Sequence, residues 1–225
     1  MEQPSRDDID RLAAESIGSG DATGWFEAVY KAAEQDPSRI PWADQKPNRA
    51  LIEWLDREQL MGRDSTAVVV GSGLGDDAEE LARRGFEVVG FDISPTAIEW
   101  ARRRFPDSPV EYRTADLFSL PAVFEDAFDF VFEAYTLQPL PEGLRSTAIA
   151  SVASLASPGG TVLVVTRGRD NGEPLPEPPP WPLSREELEV FEHSGLLLDT
   201  FEDYFDAERD PPIRRFRARY IKPSS

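Results

Sequence analysis

The chain has 225 residues, of which 42 are acidic and 24 basic, giving a formal charge of −18; it has no cysteine and one histidine. A charge of that size repels the polyanionic backbone of nucleic acids, so nucleic acid is not an expected partner. Without cysteine there are no disulfides or thiolate ligands, and His193 cannot build a zinc site by itself, so no metal is expected.

The longest apolar runs, Thr66–Val70 and Thr161–Val165, are strand-sized, well short of the ~20 residues that cross a bilayer. The acidic, polar stretch Met1–Asp10 does not resemble a secretory leader. These features predict a cytoplasmic protein with no membrane partner, monomeric or weakly dimeric.

Residues 1–60 read as an N-terminal helical cap, because Trp25–Glu34 and Asn48–Gln59 carry aromatic and aliphatic residues at helical spacing. Residues 61–225 read as the core, and the whole as a single domain. From Thr66 onward, β-branched runs alternate with amphipathic stretches, the pattern of a doubly wound, mostly parallel α/β sheet. Strands are expected at Thr66–Val70, Glu87–Phe91, Val110–Thr114, Phe128–Glu133 and Thr161–Thr166. Helices are expected over Asp76–Arg84, from Ser94-Pro95 to Phe105, and over Glu142–Ala156, with Ser157-Pro158-Gly159-Gly160 turning the chain into the fifth strand. Gly172–Pro182, with six prolines and Trp181, is a loop and a possible lid. Ser184 and Glu187 form a capping box for a helix to His193. Leu197–Tyr204 and Ile213–Ile221 are expected as an antiparallel C-terminal strand pair at the sheet edge. The arginines at 102–104 and at 214, 215, 217 and 219 read as exposed faces.

The chemistry centres on Val70-Gly71-Ser72-Gly73-Leu74-Gly75-Asp76, a buried strand entering a glycine-rich turn and then a helix. Glycine lets backbone approach a ligand closely. Where a dinucleotide fingerprint places its third glycine the chain has Asp76, an acid that would repel a pyrophosphate. A ligand with ammonium and sulfonium groups tolerates it. Asp92 closes the second strand about 20 residues beyond Gly71, the offset at which an acid receives ribose hydroxyls. Asp116 follows the third strand, placed to accept from an adenine amino group while Leu117 or Phe118 packs near the ring. Three strand ends thereby converge on the crevice where open α/β sheets bind ligands.

These motifs resemble the class I S-adenosylmethionine-dependent methyltransferases. The phrase GLGDDAEELARRGFEVVGFDISPTAIEWARRRFP, Gly73 to Pro106, is similar to the thiopurine and thiol/halide methyltransferase group. Trp25 in GWFEAVY, Ile40-Pro41-Trp42, and the proline-rich loop before Trp181 resemble that group's N-terminal tryptophans, P-W motif and late proline–aromatic loop. The resemblance covers about Gly24 to Lys222. It implies a Rossmann-like fold and S-adenosylmethionine as cofactor, held by Trp25, Trp42, the turn residues Gly71, Ser72, Gly73 and Gly75, the Asp92-Ile93 pair, Asp116 to Phe118, and Glu133. The group usually has an acid where Val69 stands, and Asp76 or Asp77 could supply that carboxylate. The acceptor pocket is implied after the fourth strand, with Tyr135, Gln138 and Trp181 as acceptor contacts.

Methyl transfer from a sulfonium needs proximity and orientation and has no obligatory acid–base residue. Where a base helps, Tyr135, Glu133 and His193 stand in position, Tyr135 ahead of the others. The expected activity is methylation of a small thiol, heterocycle, halide or amine. The alternative is an adenosyl- or nucleotide-binding protein of the same fold without catalysis.

Overall fold

The computed structural model describes residues 6–177, 179–207 and 210–224. Helices α1 (Arg6–Gly18), α2 (Gly24–Ala32) and α3 (Arg49–Arg57) precede β1 (Thr66–Val70), α4 (Asp76–Arg83), β2 (Glu87–Asp92), α5 (Pro95–Arg104) and β3 (Glu111–Thr114). There follow β4 (Phe128–Ala134), α6 (Glu142–Ser154), β5 (Ala156–Arg169), β6 (Leu183–Ser184), the one-turn helices α7 (Arg185–Leu188) and α8 (Val190–His193), β7 (Leu197–Asp206) and β8 (Ile213–Ile221). The strand order is β3-β2-β1-β4-β5-β8-β7, with the short β6 on β5. Pairs β2–β3, β1–β4 and β4–β5 are parallel, and β5–β8 and β7–β8 are antiparallel. This is the doubly wound, mostly parallel sheet that the alternating pattern predicts, with its C-terminal antiparallel pair.

The chain divides into two compact units, one running up to Asp64 and including Gly71–Asp116, the other made of Ser65–Val70 and the chain from Leu117 onward. In the first, Ile9, Ala13, Trp25, Val29, Tyr30, Ala33 and Ile40 share a core with Leu74 of the glycine turn and Ala97 and Trp100 of α5. Glu27 of α2 fixes that packing. Its carboxylate accepts from Ser94 Oγ (2.5 Å), Thr96 Oγ1 (2.8 Å) and Thr96 N (3.2 Å), an acid placed where the first turn of α5 presents unpaired N–H groups. Ser94 also caps α5, its Oγ accepting from Ala97 N at 3.0 Å.

The second unit is built on β4 and β5. Phe130, Val131 and Phe132 are completely buried, each contributing about 1.5–3 kcal/mol from the apolar surface it removes from water. The capping box forms as its spacing predicts: Glu187 N donates to Ser184 Oγ and Ser184 N to the Glu187 carboxylate.

Two expectations need correction. Strand β5 begins at Ala156 and takes Ser157-Pro158-Gly159-Gly160 into itself as a bulge, the register with β4 jumping from Phe128↔Ala156 to Phe130↔Thr161. Gly159 N donates to Lys222 O and Lys222 N to Gly160 O, both at 2.9 Å, so the C-terminal segment supplies partners that a free turn would lack. The arginines of β8 are not an exposed face either. Arg215 and Arg217 are buried, and Arg217 pairs with Glu202 at 2.6 Å, Arg219 with Asp199 at 3.2 Å and Arg214 with Asp203 at 2.7 Å. All three acids lie on β7, whose register decides the pairing. In the 102–104 cluster Arg104 is likewise held, by Asp76 and by Leu74 O at 2.6 Å.

Candidate functional site

The first unit holds the glycine turn. Gly71, Gly73 and Gly75 have φ of 62°, 52° and 95°, the left-handed region where a side chain is strained. A Cβ on Gly75 would stand 2.4 Å from Tyr112 Oη, and one on Gly73 would stand 3.0 Å from Tyr30 Oη. The turn is tied to the sheet by Ser72 N donating to Phe91 O at 2.8 Å. Ser72 Oγ is buried and has no protein partner.

Asp92 sits at the end of β2, 7% exposed. One carboxylate oxygen accepts from Gly73 N and the other from Ser94 N, both at 2.9 Å. A carboxylate offers about four lone-pair sites, so acceptor capacity is left beyond its backbone donors. Burial pushes its pKa up to about 6 and the Glu27 charge adds to the rise, while the N–H groups of Ser94 and Gly73 pull the other way. Ile93 beside it and Asp116 beyond β3 are half-buried.

Trp25 and Trp42 meet edge to face with ring centres 5.8 Å apart. Trp25 is buried and its indole N–H lacks a protein partner; Trp42 is partly exposed and donates its indole N–H to Tyr30 Oη at 2.9 Å. Asp76 and Asp77 are both engaged elsewhere. Asp76 binds Arg104 at 2.7 and 2.9 Å, and Asp77 accepts from Asn48 N at 2.6 Å. Neither substitutes freely for an acid at Val69.

In the second unit Leu117 is buried and Phe118 half-buried. Glu133, at the end of β4, is completely buried. Its Oε1 accepts from Thr136 N (2.7 Å) and Leu137 N (3.0 Å), while Oε2 has no protein partner. Tyr135 adopts φ 64° and lies under the Arg215 guanidinium, 4.6 Å from its ring centre. Gln138 is committed to holding backbone: its side chain accepts from Arg167 N at 3.0 Å and its carbonyl from Trp181 N at 2.7 Å. Trp181 is half-buried, its ring centre 5.8 Å from the Arg145 guanidinium. His193 is exposed at the end of α8. A cavity of about 710 Å³, within the range of small-molecule sites, is lined by Glu142, Arg169, Glu173, Ser184 and Glu187 among others; Tyr135, Gln138 and Trp181 do not line it.

Residues 67–160 match the model of a methyltransferase domain family. That stretch holds the glycine turn, Asp92 and Glu133. The chain is 26% identical over 167 residues to 2-heptyl-1-hydroxyquinolin-4(1H)-one methyltransferase of Mycobacteroides abscessus, an alignment spanning 68% of this chain and 71% of that protein. It is equally 26% identical over 167 residues to probable thiol methyltransferase 2 of Arabidopsis thaliana, spanning 72% and 68%. Its fold is shared with the Burkholderia thailandensis 1,6-didemethyltoxoflavin-N1-methyltransferase, solved with its substrate and S-adenosylhomocysteine, at a TM-score of 0.67 and 16% identity over all of this chain and 93% of that one. Among the described residues, no helix is long and apolar enough to cross a membrane, and no group of three or more acidic or histidine side chains is placed to hold a metal.

Sequence reasoning missed Tyr30 and Glu27. Both sit on α2 and reach the glycine turn and α5 through packing that no local spacing encodes. The one available signal was the helical spacing of Trp25, Val29 and Tyr30, which marks a buried face.

Proposed function

We propose that the chain transfers the methyl group of S-adenosylmethionine to a small-molecule acceptor. The observation that carries the reading is Asp92, a buried carboxylate at a strand end with backbone donors on both oxygens and acceptor capacity left, which suits the hydroxyls of a ribose. The glycine turn beside it admits close backbone approach, and the unpartnered Trp25 Nε1 and Ser72 Oγ are hydrogen-bonding groups that a polar ligand would satisfy. Bound there, the cofactor supplies an electrophilic methyl group on a sulfonium.

The chain's own residues contribute position. Gly71, Gly73 and Gly75 make room, Asp92 orients the ribose, and Asp116 receives the adenine. Trp25, Trp42 and Tyr30 close over the turn, excluding water from a displacement that depends on alignment. The acceptor is a small hydroxyl, amine, heterocycle or thiol. The relatives named for a hydroxyquinolone and for thiols support that class, as does a charge of −18 that disfavours polyanions. A cytoplasmic setting suits an acidic chain without cysteine.

Calorimetry with S-adenosylhomocysteine, followed by turnover on a panel of phenols, N-hydroxy heterocycles, amines, thiols and halides, tests the reading. Binding together with methylation of a panel member is expected. Binding without turnover on the panel, or methylation of nucleic acid alone, would overturn it.

A further inference from the structure

We propose that Arg215 of β8, with Arg167 beside it on β5, receives the carboxylate of a small organic acid. The site lies wholly in the second unit; it goes beyond the methyl-transfer reading and does not depend on it.

The four arginines of β8 are provided for unequally. Arg217 faces Glu202 directly across to β7 and donates to it through Nε at 2.9 Å and Nη2 at 2.6 Å. Arg214 holds Asp203 in the same two-pronged way, at 2.8 and 2.7 Å, and Arg219 reaches Asp199 at 3.2 Å. Opposite Arg215 the β7 residue is Tyr204, which has no charge to offer. Asp206 stops 3.7 Å from Arg215 Nη2, close enough to balance charge and too far for a hydrogen bond. Arg215 is only 5% exposed, and its Nε is buried without a protein partner. A buried donor on a charged group is costly to leave unmade.

The stack on Tyr135 does not meet that need. The ring centre stands 4.6 Å from the guanidinium carbon, a contact that uses the face of the group, while its N–H bonds radiate in the plane. The stack holds the fork in one orientation and leaves its Nε edge unused.

A second observation points the same way. In the β5–β8 register the residue directly across from Arg215 is Arg167, so two cations share one cross-strand position. Side chains paired in this manner start about 5 Å apart at Cβ, and like charges there repel. On the β7 side of the same strand Arg217 is met by a carboxylate. An anion between Arg167 and Arg215 would turn the one repulsive pair into two attractive ones.

The chemistry of the fork selects the anion. Nε and one Nη present two parallel N–H bonds, the spacing of the two oxygens of a carboxylate. Glu202 on Arg217 displays that geometry two residues along, and a ligand carboxylate repeats it on Arg215. A singly charged acid also meets the formal charge of −18 with less repulsion than a phosphate dianion. Arg167, Tyr135 and Tyr204 around the fork are half-buried, so it lies one side chain below the surface.

Calorimetry with acetate and nicotinate, each against its amide, and with inorganic phosphate tests this on the wild type, on Arg215→Gln and on Arg214→Gln, which removes an arginine already satisfied by Asp203. Wild type and Arg214→Gln are expected to bind at least one acid about 10–100-fold more tightly than its amide, and Arg215→Gln to bind acid and amide within about threefold of each other. Equal binding of acids and amides by the wild type, a preference that persists in Arg215→Gln, or phosphate binding more tightly than both acids would each sink the proposal. Should Arg215→Gln not fold, the arginine side-chain NMR spectrum of the wild type decides. One Hε signal is expected to move downfield as acid is added and to stay in place with the amide, and a spectrum that acid leaves unchanged rules the site out.

Discussion

The carboxylate of Asp92 holds the backbone N–H of Gly73 at 2.9 Å, so the end of β2 and the middle of the glycine turn are positioned by one side chain. Removing it takes away the tie that shapes the turn and, on the function proposed above, the ribose acceptor. Asp92→Ala is expected to weaken S-adenosylhomocysteine binding by about 1.5–3 kcal/mol, the range for a hydrogen bond to a charged group. Calorimetry reads this directly, and unchanged affinity would remove Asp92 from the cofactor site.

Glycines in this chain divide into those that are needed and those that are not. Gly75→Ala places a Cβ 2.4 Å from Tyr112 Oη at a φ of 95°, and is expected to cost about 2–4 kcal/mol from overpacking and backbone strain together. Gly143, in α6, has open space around its Cβ position, so Gly143→Ala is expected to add about 0.5–1 kcal/mol through helix propensity. Urea unfolding of the two variants should move in opposite directions.

Arg145 is 2% exposed and donates to Leu140 O at 3.0 Å and to Glu187, which Arg169 also binds at 2.7 Å. Arg145→Leu leaves a buried carbonyl and half of a charge network unpartnered. A loss of about 3 kcal/mol is expected, at the lower end for a broken buried ion pair because Arg169 remains. A change under about 1 kcal/mol in chemical denaturation would show the network to be dispensable.

Three carboxyls set the pH dependence of the ligand-free protein. Glu133, Asp77 and Asp92 have folded pKa values raised by burial to about 7, about 7 and about 6, above ordinary values of 4.5 for the glutamate and 3.8 for the aspartates. The folded state thus binds more protons than the unfolded chain across that interval, and stability rises as pH falls from about 7 toward about 5. Below that the direction reverses, because Glu187, held by Ser184 N and Arg145 below the usual carboxylate range, begins to lose its partners. Melting temperatures between pH 5 and 8 check the sign; a steady fall on acidification through this window would contradict it.

Elements whose cause is local were legible before any coordinates. Ser94-Pro95 starts α5, Ser184 and Glu187 box α7, and the β-branched run Thr66–Val70 makes β1. Asp92 and the glycine turn were legible because both stand at strand ends. What sequence alone did not disclose depends on partners far along the chain. Tyr30 meets Gly73 through helix packing, Arg217 finds Glu202 only once β7 and β8 are in register, and Gly159 is drawn into β5 by Lys222. Glu133 stood out as an acid at a strand end, but its half-satisfied carboxyl follows from a left-handed Tyr135 that nothing in its side chain announces.

The ion pairs between β7 and β8 also govern which alignment of the two strands can form. Glu202 faces Arg217 directly, and Asp199, Asp203 and Asp206 reach Arg219, Arg214 and Arg215 from neighbouring positions. A slip of one residue would exchange the two faces of the strand, and a slip of two would set Arg217 opposite Tyr204 or Thr200, leaving a buried guanidinium without its carboxylate. Many weak charges thereby act as a combination lock: each contributes little alone, and only one setting satisfies them all.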